Sequence, residues 1–430
     1  MSRSGALALL GGTPVRTAPW PAWPPVNERI QSAARSALDS GRWAISGPVR
    51  GGPSKQQQFA QAWAAFNGVR HAVPVSSGSS ALLLAMEALG VGPGDEVIVP
   101  VWTWVASAST VLRAGATPVL ADVSPDNFCL TAGTIARAVT PRTRAVIGVH
   151  LHQSMMEMAP ILDLVRARGL WLIEDCAQAH GALYAGRRAG SFGHAGCFSF
   201  QQTKPLTSGE GGAVITDDAD LAERIFALHA DGRRLAAPDP VTGLELAEGS
   251  GPMGANHAMT EMQAAILLAQ MEDSALDKRL SETAQHAAWL DGALAGLGPL
   301  RPLIQPAALE RRTVFEYIIA FEPWVTAHVP SARIGVALSA ELGAPWYTSD
   351  PPLHVSGLYR PGTRRRFADC AGPAAKPGDF PVAEDYSART LVCHHSVLSG
   401  DRAAMTDIVN AFDKVLNHLD DLEAEGADAA

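Results

Sequence analysis

The stretch CFSFQQTKPLTSGEGGAVITD (residues 197–217) holds two short apolar runs, CFSF and AVITD, joined by a polar segment that carries Lys204 and a Gly-Glu-Gly-Gly turn. Runs of this length that are apolar on both faces suit strands of a sheet covered on both sides. The pattern extends upstream through EVIVPV (96–101), ATPVLADV (116–123), RAVIGVHL (144–151) and LWLIED (170–175). Between them SALLLAMEALG, SASTVLRAGA and APILDLVRARG read as helices long enough to cross from one parallel strand to the next. The expected class is α/β with a mostly parallel sheet, and ligands of such sheets bind at the carboxyl ends of the strands. Downstream, 260–298 reads as one or two amphipathic helices, after which Pro, Arg and His become more frequent. A strand candidate TVFEYIIAF (313–321), the loop PWYTSDPPLHVSGLYRPGT and a final helix from about 402 to 424 suggest a smaller α+β unit. The chain therefore divides into a Pro- and Trp-rich arm (1–30), a large α/β domain (31–275) and a small C-terminal α+β domain (276–430).

With 47% apolar and 18% charged residues the chain is an ordinary globular protein, and its length supplies ample core. A formal net charge of -9 argues against a nucleic-acid footprint, and the triplet Arg364-Arg365-Arg366 reads as a solvated turn or a subunit contact. The five cysteines, at 129, 176, 197, 370 and 393, have no metal-ligand spacing and read as reduced cytoplasmic thiols. No run of 18 apolar residues occurs, and MSRSGALALLGG is too short and glycine-rich for a signal peptide, so neither export nor a membrane span is expected.

Lys204 is one of five lysines; the others, Lys55, Lys278, Lys376 and Lys414, lie in polar or turn-rich surroundings. A lysine between an apolar strand and a glycine turn that lets backbone pack closely is a candidate Schiff-base former. Desolvation disfavours its ammonium form and leaves a free amine near neutral pH. The alternative is a side chain that snorkels from a strand end. Its partners favour the first reading. Asp175 ends the apolar run LWLIED, where a carboxylate is costly unless it meets a cation such as the protonated ring nitrogen of pyridoxal phosphate, or merely caps the next turn. Gln178, three residues on, either donates to the ring's phenolate oxygen or is polar loop filler. Ser76-Ser77-Gly78-Ser79-Ser80 precedes the helix ALLLAMEALG, so free N–H groups, helix dipole and hydroxyls converge where a phosphate would sit. An ordinary helix cap needs only one of those serines. Ser199 adds a further phosphate contact. Trp104, in VPVWTWVAS, offers a face to stack on a pyridine ring, or packs in the core. The order of these elements within one α/β domain is more specific than any of them alone.

The motifs GSSAL, VPVWTWVASA, EDCAQAHGA, FSFQQTK and SGEGGAV, followed by GANHAMTEMQAAI, resemble the DegT/StrS family of pyridoxal-phosphate sugar and aminocyclitol aminotransferases over nearly the whole chain. Within it LLGGTPVR (9–16), SGRWAISGP (40–48), GLYRPGTRRRF (357–367) and HHSVLSG (394–400) are most similar to the subgroup using L-glutamine and scyllo-inosose or 2-deoxy-scyllo-inosose. The resemblance implies a fold-type-I enzyme with Lys204 as the Schiff-base lysine, Asp175 on the pyridine nitrogen and Gln178 beside the phenolate oxygen. It places Trp104 on the ring and Ser79, Ser80 and Ser199 on the phosphate. It also implies a homodimer with shared sites, in which Asn256 reaches the phosphate held by a second copy. The implied activity transfers an amino group from L-glutamine or L-glutamate to a ketocyclitol, as in aminocyclitol antibiotic biosynthesis. Two rivals are a nucleotide-linked ketosugar aminotransferase and a non-catalytic cofactor-binding regulator. Two departures bear on the acceptor: His257-Ala258-Met259 lacks the family's basic residue, and HLHQSMMEM (150–158) replaces a glycine- and proline-containing turn expected to face substrate.

Overall fold

A computed structural model describes residues 5–49, 52–372 and 374–427, so Met1–Ser4 of the expected arm lie outside the described residues. The large sheet has seven strands: β1 (His71–Val75), β2 (Glu96–Pro100), β3 (Thr117–Ala121), β4 (Thr143–Val149), β5 (Trp171–Asp175), β6 (Ala195–Ser199) and β7 (Gly212–Thr216), in the order β1-β7-β6-β5-β4-β2-β3. Strands β6, β5, β4, β2 and β3 are parallel, whereas β7 lies antiparallel between β6 and β1. The reversal has a simple cause. The connection 200–211 contains no helix, and a chain that turns back without a crossover pairs antiparallel. That connection holds Lys204 at the carboxyl end of β6. Strand β1 carries Pro74 and escapes a sequence reading; it sits at the sheet edge, where a missing N–H is tolerated.

Helices α1 (Lys55–Asn67), α2 (Gly78–Ala88), α3 (Ala106–Arg113) and α4 (Met158–Arg168) cover this sheet. The strands β2, β6 and β7 are buried along their whole length, as apolar runs on both faces require. Beyond them α5 (Glu261–Met271) and α6 (Ala275–Ala295) are separate helices, because Asp273 and Ser274 between them take left-handed backbone, φ 54° and 59°. Helix α6 serves two cores: Leu276 and Leu280 pack with the large sheet, Ala287, Leu290 and Leu294 with the C-terminal residues. The second core is built on a three-stranded antiparallel sheet, Leu300–Arg301, Glu316–Phe321 and Thr390–His394, under helices Ser331–Leu342 and Arg402–Leu416. The expected final helix is two, Arg402–Leu416 and Leu419–Ala427, interrupted at Asn417 and His418.

The N-terminal residues run across both parts. Leu7 is buried in the second core, Trp20 Nε1 donates to the Leu342 carbonyl at 2.7 Å, and Trp23 Nε1 donates to the Gln202 carbonyl at 2.8 Å, two residues before Lys204. Leu353 and Ala383 return to the first core, which brings the loop before them over the sheet's carboxyl edge. Arg364, Arg365 and Arg366 are exposed on this chain, with Arg364 and Arg366 over the Phe367 ring. All five cysteines are buried and unpaired, and no described helix is long and apolar enough to cross a membrane.

Candidate active site

A cavity of about 590 Å³ opens at the carboxyl ends of β4, β5 and β6, between the start of α2 and the residues flanking Glu316. On the sheet side, Ser77 caps α2 by accepting the Ser80 N–H at 3.1 Å. Ser77, Gly78, Ser79 and Ser199 line the cavity together. Two glycines permit this crowding: a Cβ on Gly78 would stand 2.7 Å from Ser199 Cβ, and one on Gly212 would stand 2.4 Å from the Ser77 carbonyl carbon. The result is a helix N-terminus with hydroxyls beside it, chemistry suited to an anion. Buried His180 fixes Ser199 from behind, its ring Nε2 donating to the Ser199 carbonyl at 2.8 Å.

Asp175 is the last residue of β5 and is buried. One carboxylate oxygen accepts from Ser107 Oγ at 2.9 Å and the other from the Ala177 N–H at 3.1 Å. The turn-capping and site readings therefore coexist. Burial pushes the Asp175 carboxyl above its ordinary range, although the Ala177 N–H, Ser107 and Lys204 oppose it, so an adjacent cation would be welcome. Gln178 accepts the His152 N–H through Oε1, which leaves its Nε2 as the donor end at the cavity wall. Lys204 has the expected setting. Burial lowers its amine from 10.5 to about 8 against the opposing pull of Glu316, Asp175 and Asp350, and Nζ lies 3.7 Å from the centre of the Phe315 ring. The turn that presents it is pinned: His394 Nε2 and His395 Nε2 both reach the Thr203 carbonyl, at 2.9 and 3.1 Å.

The opposite wall takes His152 from the loop 150–158 that was expected to face substrate, whereas its other members were not anticipated. It comprises His152, Phe315, Glu316, Tyr347 and Asp350. Glu316 accepts from His152 Nδ1 at 3.0 Å and from Tyr347 Oη at 2.9 Å. Burial raises its carboxyl, but the bond and charge of His152, the Tyr347 bond and Lys204 outweigh it and hold Glu316 below its ordinary value. The available signal was the polar Glu316 inside the apolar run TVFEYIIAF, a rule-breaking residue at the start of a buried strand.

Other expected residues fall elsewhere. Trp104 lines the cavity, half-exposed, but in the loop after β2 rather than at the strand's end. Ser80 is not in the cavity wall; its hydroxyl is enclosed by Ser76 Oγ at 2.9 Å, Ser77 Oγ at 3.0 Å and His257 Nδ1 at 3.2 Å. Asn256 is exposed outside its own chain's cavity, with Oδ1 accepting the Ala258 N–H at 3.1 Å. Met155 and Met156 do not face substrate. Both are fully buried, and Met156 fills the space over Gly148, where a Cβ would meet its Cε at 2.3 Å. His150, Glu174 and Cys176 have the proximity of a metal trio, yet Glu174 is consumed by His150 and the N–H groups of Gly190, Phe192 and Gly193.

Comparison with known proteins gives the chain's relatives. The chain is 45% identical over 415 residues to an L-glutamine:2-deoxy-scyllo-inosose aminotransferase of Micromonospora echinospora, covering 96% of this chain and 98% of that one. It is 41% identical to an L-glutamine:scyllo-inosose aminotransferase of Streptomyces griseus, covering 96% and 98%. The crystal structure of 3-amino-5-hydroxybenzoic acid synthase superposes with a TM-score of 0.80 at 26% identity, over 94% of this chain and all of that one. Residues 24–412 match one family description, and the protein accordingly belongs to the DegT/DnrJ/EryC1/StrS aminotransferase family.

Proposed function

We propose that this aminotransferase uses pyridoxal 5'-phosphate to move an amino group from L-glutamine, or L-glutamate, to a ketocyclitol of the scyllo-inosose or 2-deoxy-scyllo-inosose type. The residues present fit the cofactor end by end. Ser79, Ser199 and the N-terminus of α2 suit its phosphate, Asp175 its ring nitrogen, Gln178 Nε2 its phenolate oxygen and Trp104 its ring face. Ser80 acts one step removed, by fixing Ser77. When bound, the cofactor supplies an electron sink for the pair left as an α-proton departs. Lys204 supplies the amine that takes that proton and returns it, and a value of about 8 keeps a useful fraction of it unprotonated near neutral pH. Phe315 and the buried wall limit water around Nζ.

The observation that carries the acceptor class is the near-full-length identity to enzymes named for 2-deoxy-scyllo-inosose. The cavity supports it: among the described lining residues Lys204 is the only lysine or arginine, whereas Glu210, Glu316 and Asp350 contribute carboxylates. A neutral polyol suits such walls better than a diphosphate, and Ala258 brings no cation to the neighbouring surface. We further propose a homodimer in which Asn256 reaches the phosphate site of the second copy. Exposed Trp43, Val241, Leu244 and Met253 support an interface near it, since segments 43–49, 239–243 and 260–261 are tied together by backbone bonds. The buried free thiols suit the cytoplasm.

The test is spectroscopic. L-Glutamine should convert the yellow holoenzyme's absorbance to that of the amine form, and scyllo-inosose or its 2-deoxy analogue should restore it. Restoration by a nucleotide-linked ketosugar and not by cyclitols would replace the acceptor class. No response to any amino acid would make the protein a non-catalytic cofactor binder.

A further inference from the structure

We propose that His152, oriented by Glu316, is the specificity-determining residue that hydrogen-bonds a ring hydroxyl of the ketone acceptor, with Asp350 taking a second hydroxyl at the mouth. The proposal rests on the aminotransferase reading and deepens it. His152 has φ 55°, in the left-handed region that few non-glycine residues adopt, although His enters it more readily than most. The conformation is enforced from both sides: its N–H donates to Gln178 Oε1, and its carbonyl accepts the Phe315 N–H at 2.9 Å. Strain that the surroundings impose on a cavity residue points to a task for its side chain.

The ring is equally constrained. Glu316 can only accept when ionised, so the 3.0 Å contact puts the proton on His152 Nδ1. Tyr347 Oη occupies the other Glu316 oxygen at 2.9 Å, and the carboxylate cannot swing away without losing it. Nε2 is then the ring atom left for another partner, an acceptor in the neutral ring and a donor in the charged one. That atom is buried and has no hydrogen-bond partner among the described residues, in a residue 5% exposed that lines the cavity. Other buried polar atoms of the chain also lack a partner, but among the described residues that line the cavity only His152 has one, which makes a ligand group its natural partner.

Which ligand follows from position and chemistry. Lys204 shares one cavity with Asp175 and Gln178 of the sheet-side wall and with Glu316 and Asp350 of the far wall, so the reaction centre lies in the space that both walls line. The sheet-side wall is taken by the cofactor, which leaves His152 facing substrate. A hydroxyl meets either form of the ring, donating to Nε2 in the one and accepting from it in the other. Asp350 adds a carboxylate with no hydrogen bond among the described residues, on backbone fixed by Trp102 Nε1 to the Asp350 carbonyl at 2.9 Å and by the Leu353 N–H to the Val101 carbonyl at 2.7 Å. A wall that takes hydroxyl protons reads a polyhydroxylated ring, and it rejects a ring lacking those hydroxyls because its own polar atoms are then left bare. Glutamine offers this wall one carboxamide where the ring offers several hydroxyls, so losing the wall costs the amino donor less than the acceptor.

The two half-reactions separate this role from a structural one. His152→Asn keeps a residue that tolerates left-handed backbone but cannot carry Nε2 to the same place. Holoenzyme of this variant should slow with the ketocyclitol by about 10-fold or more, while the glutamine-driven absorbance change stays within about threefold of wild type. Asp350→Asn, at the exposed mouth, should raise the ketocyclitol KM with little change in kcat and serves if His152→Asn fails to fold. With a deoxygenated cyclic ketone as acceptor, wild type and both variants should converge. Equal loss in both half-reactions, or an unchanged ketocyclitol step in either variant, overturns the proposal. A wild-type enzyme that does not respond to glutamine overturns the aminotransferase reading instead.

Discussion

The two walls of the cavity are built by different rules. The sheet-side wall takes every residue from within a few positions of a strand end: Asp175 closes β5, Gln178 follows it, Ser199 closes β6, Lys204 lies in the next turn, and Ser77–Ser79 follow β1. The far wall joins His152, after β4, to Glu316, 164 positions away, and to Tyr347 and Asp350 beyond it. A parallel sheet fixes the first wall by its own geometry. The second exists only because the C-terminal residues dock over the sheet. In the proposed reading the chemistry sits on the first wall and recognition on the second, and the two can be broken separately.

The largest expected effect is on the first wall. Lys204→Ala should lower turnover by about 10³-fold or more, since no other amine lines the cavity among the described residues, while the phosphate contacts still hold cofactor. Turnover near wild type with a folded variant would end the lysine assignment.

The same lysine is costly to the fold, and the sign of that cost is testable. Burial lowers its value from 10.5 to about 8, so between those values the unfolded chain keeps a proton that the folded chain has released. This group's contribution to stability therefore rises with pH across that window, and its cost is fully present below about 8. In cofactor-free protein Lys204→Met should recover at most about 3 kcal/mol at pH 7 and nearly nothing above pH 11, read as the difference between variant and wild-type denaturation curves. A difference that does not shrink with rising pH would mean that packing, not charge, sets it.

Asp175→Asn leaves the wall's shape and removes its charge. The proton-transfer step should slow by roughly 10²-fold, about 3 kcal/mol, in single-turnover measurements with glutamine. A change within twofold would reduce Asp175 to the turn cap that its bond to the Ala177 N–H also makes it.

How far the sequence could be read follows the same division. Lys204, Asp175, Gln178 and Ser199 were legible because an apolar run announces the strand and the following residue types announce the ligand end. Strand β1 was not, since Pro74 argues against a strand unless its edge position is known. Met155 and Met156 read as substrate-facing within an unusual loop, but the space over Gly148, a feature of packing, draws Met156 into the core. Ser80 lies off the cavity wall through rotation around a helix start: with Ser77 as the cap, Ser79 lines the cavity and the Ser80 hydroxyl turns toward His257. His152 and Glu316 carry no local signal that pairs them, because their meeting is a tertiary event.

The smallest effect concerns a residue on neither wall of its own chain. Asn256 is exposed, and if it completes the cavity of a second copy, two inactive variants should rescue each other. Lys204→Ala destroys the site built mainly from its own chain, whereas a disruptive change such as Asn256→Asp places a negative charge beside the phosphate across the interface. In a mixed dimer one site then carries both defects and the other neither. Statistical exchange makes about half the dimers mixed, so activity should recover to about one quarter of wild type per total site. Native mass spectrometry would confirm that subunits had exchanged. Exchange without any gain in activity would put Asn256 in its own chain's site or in none, and the first wall would then be complete within one chain.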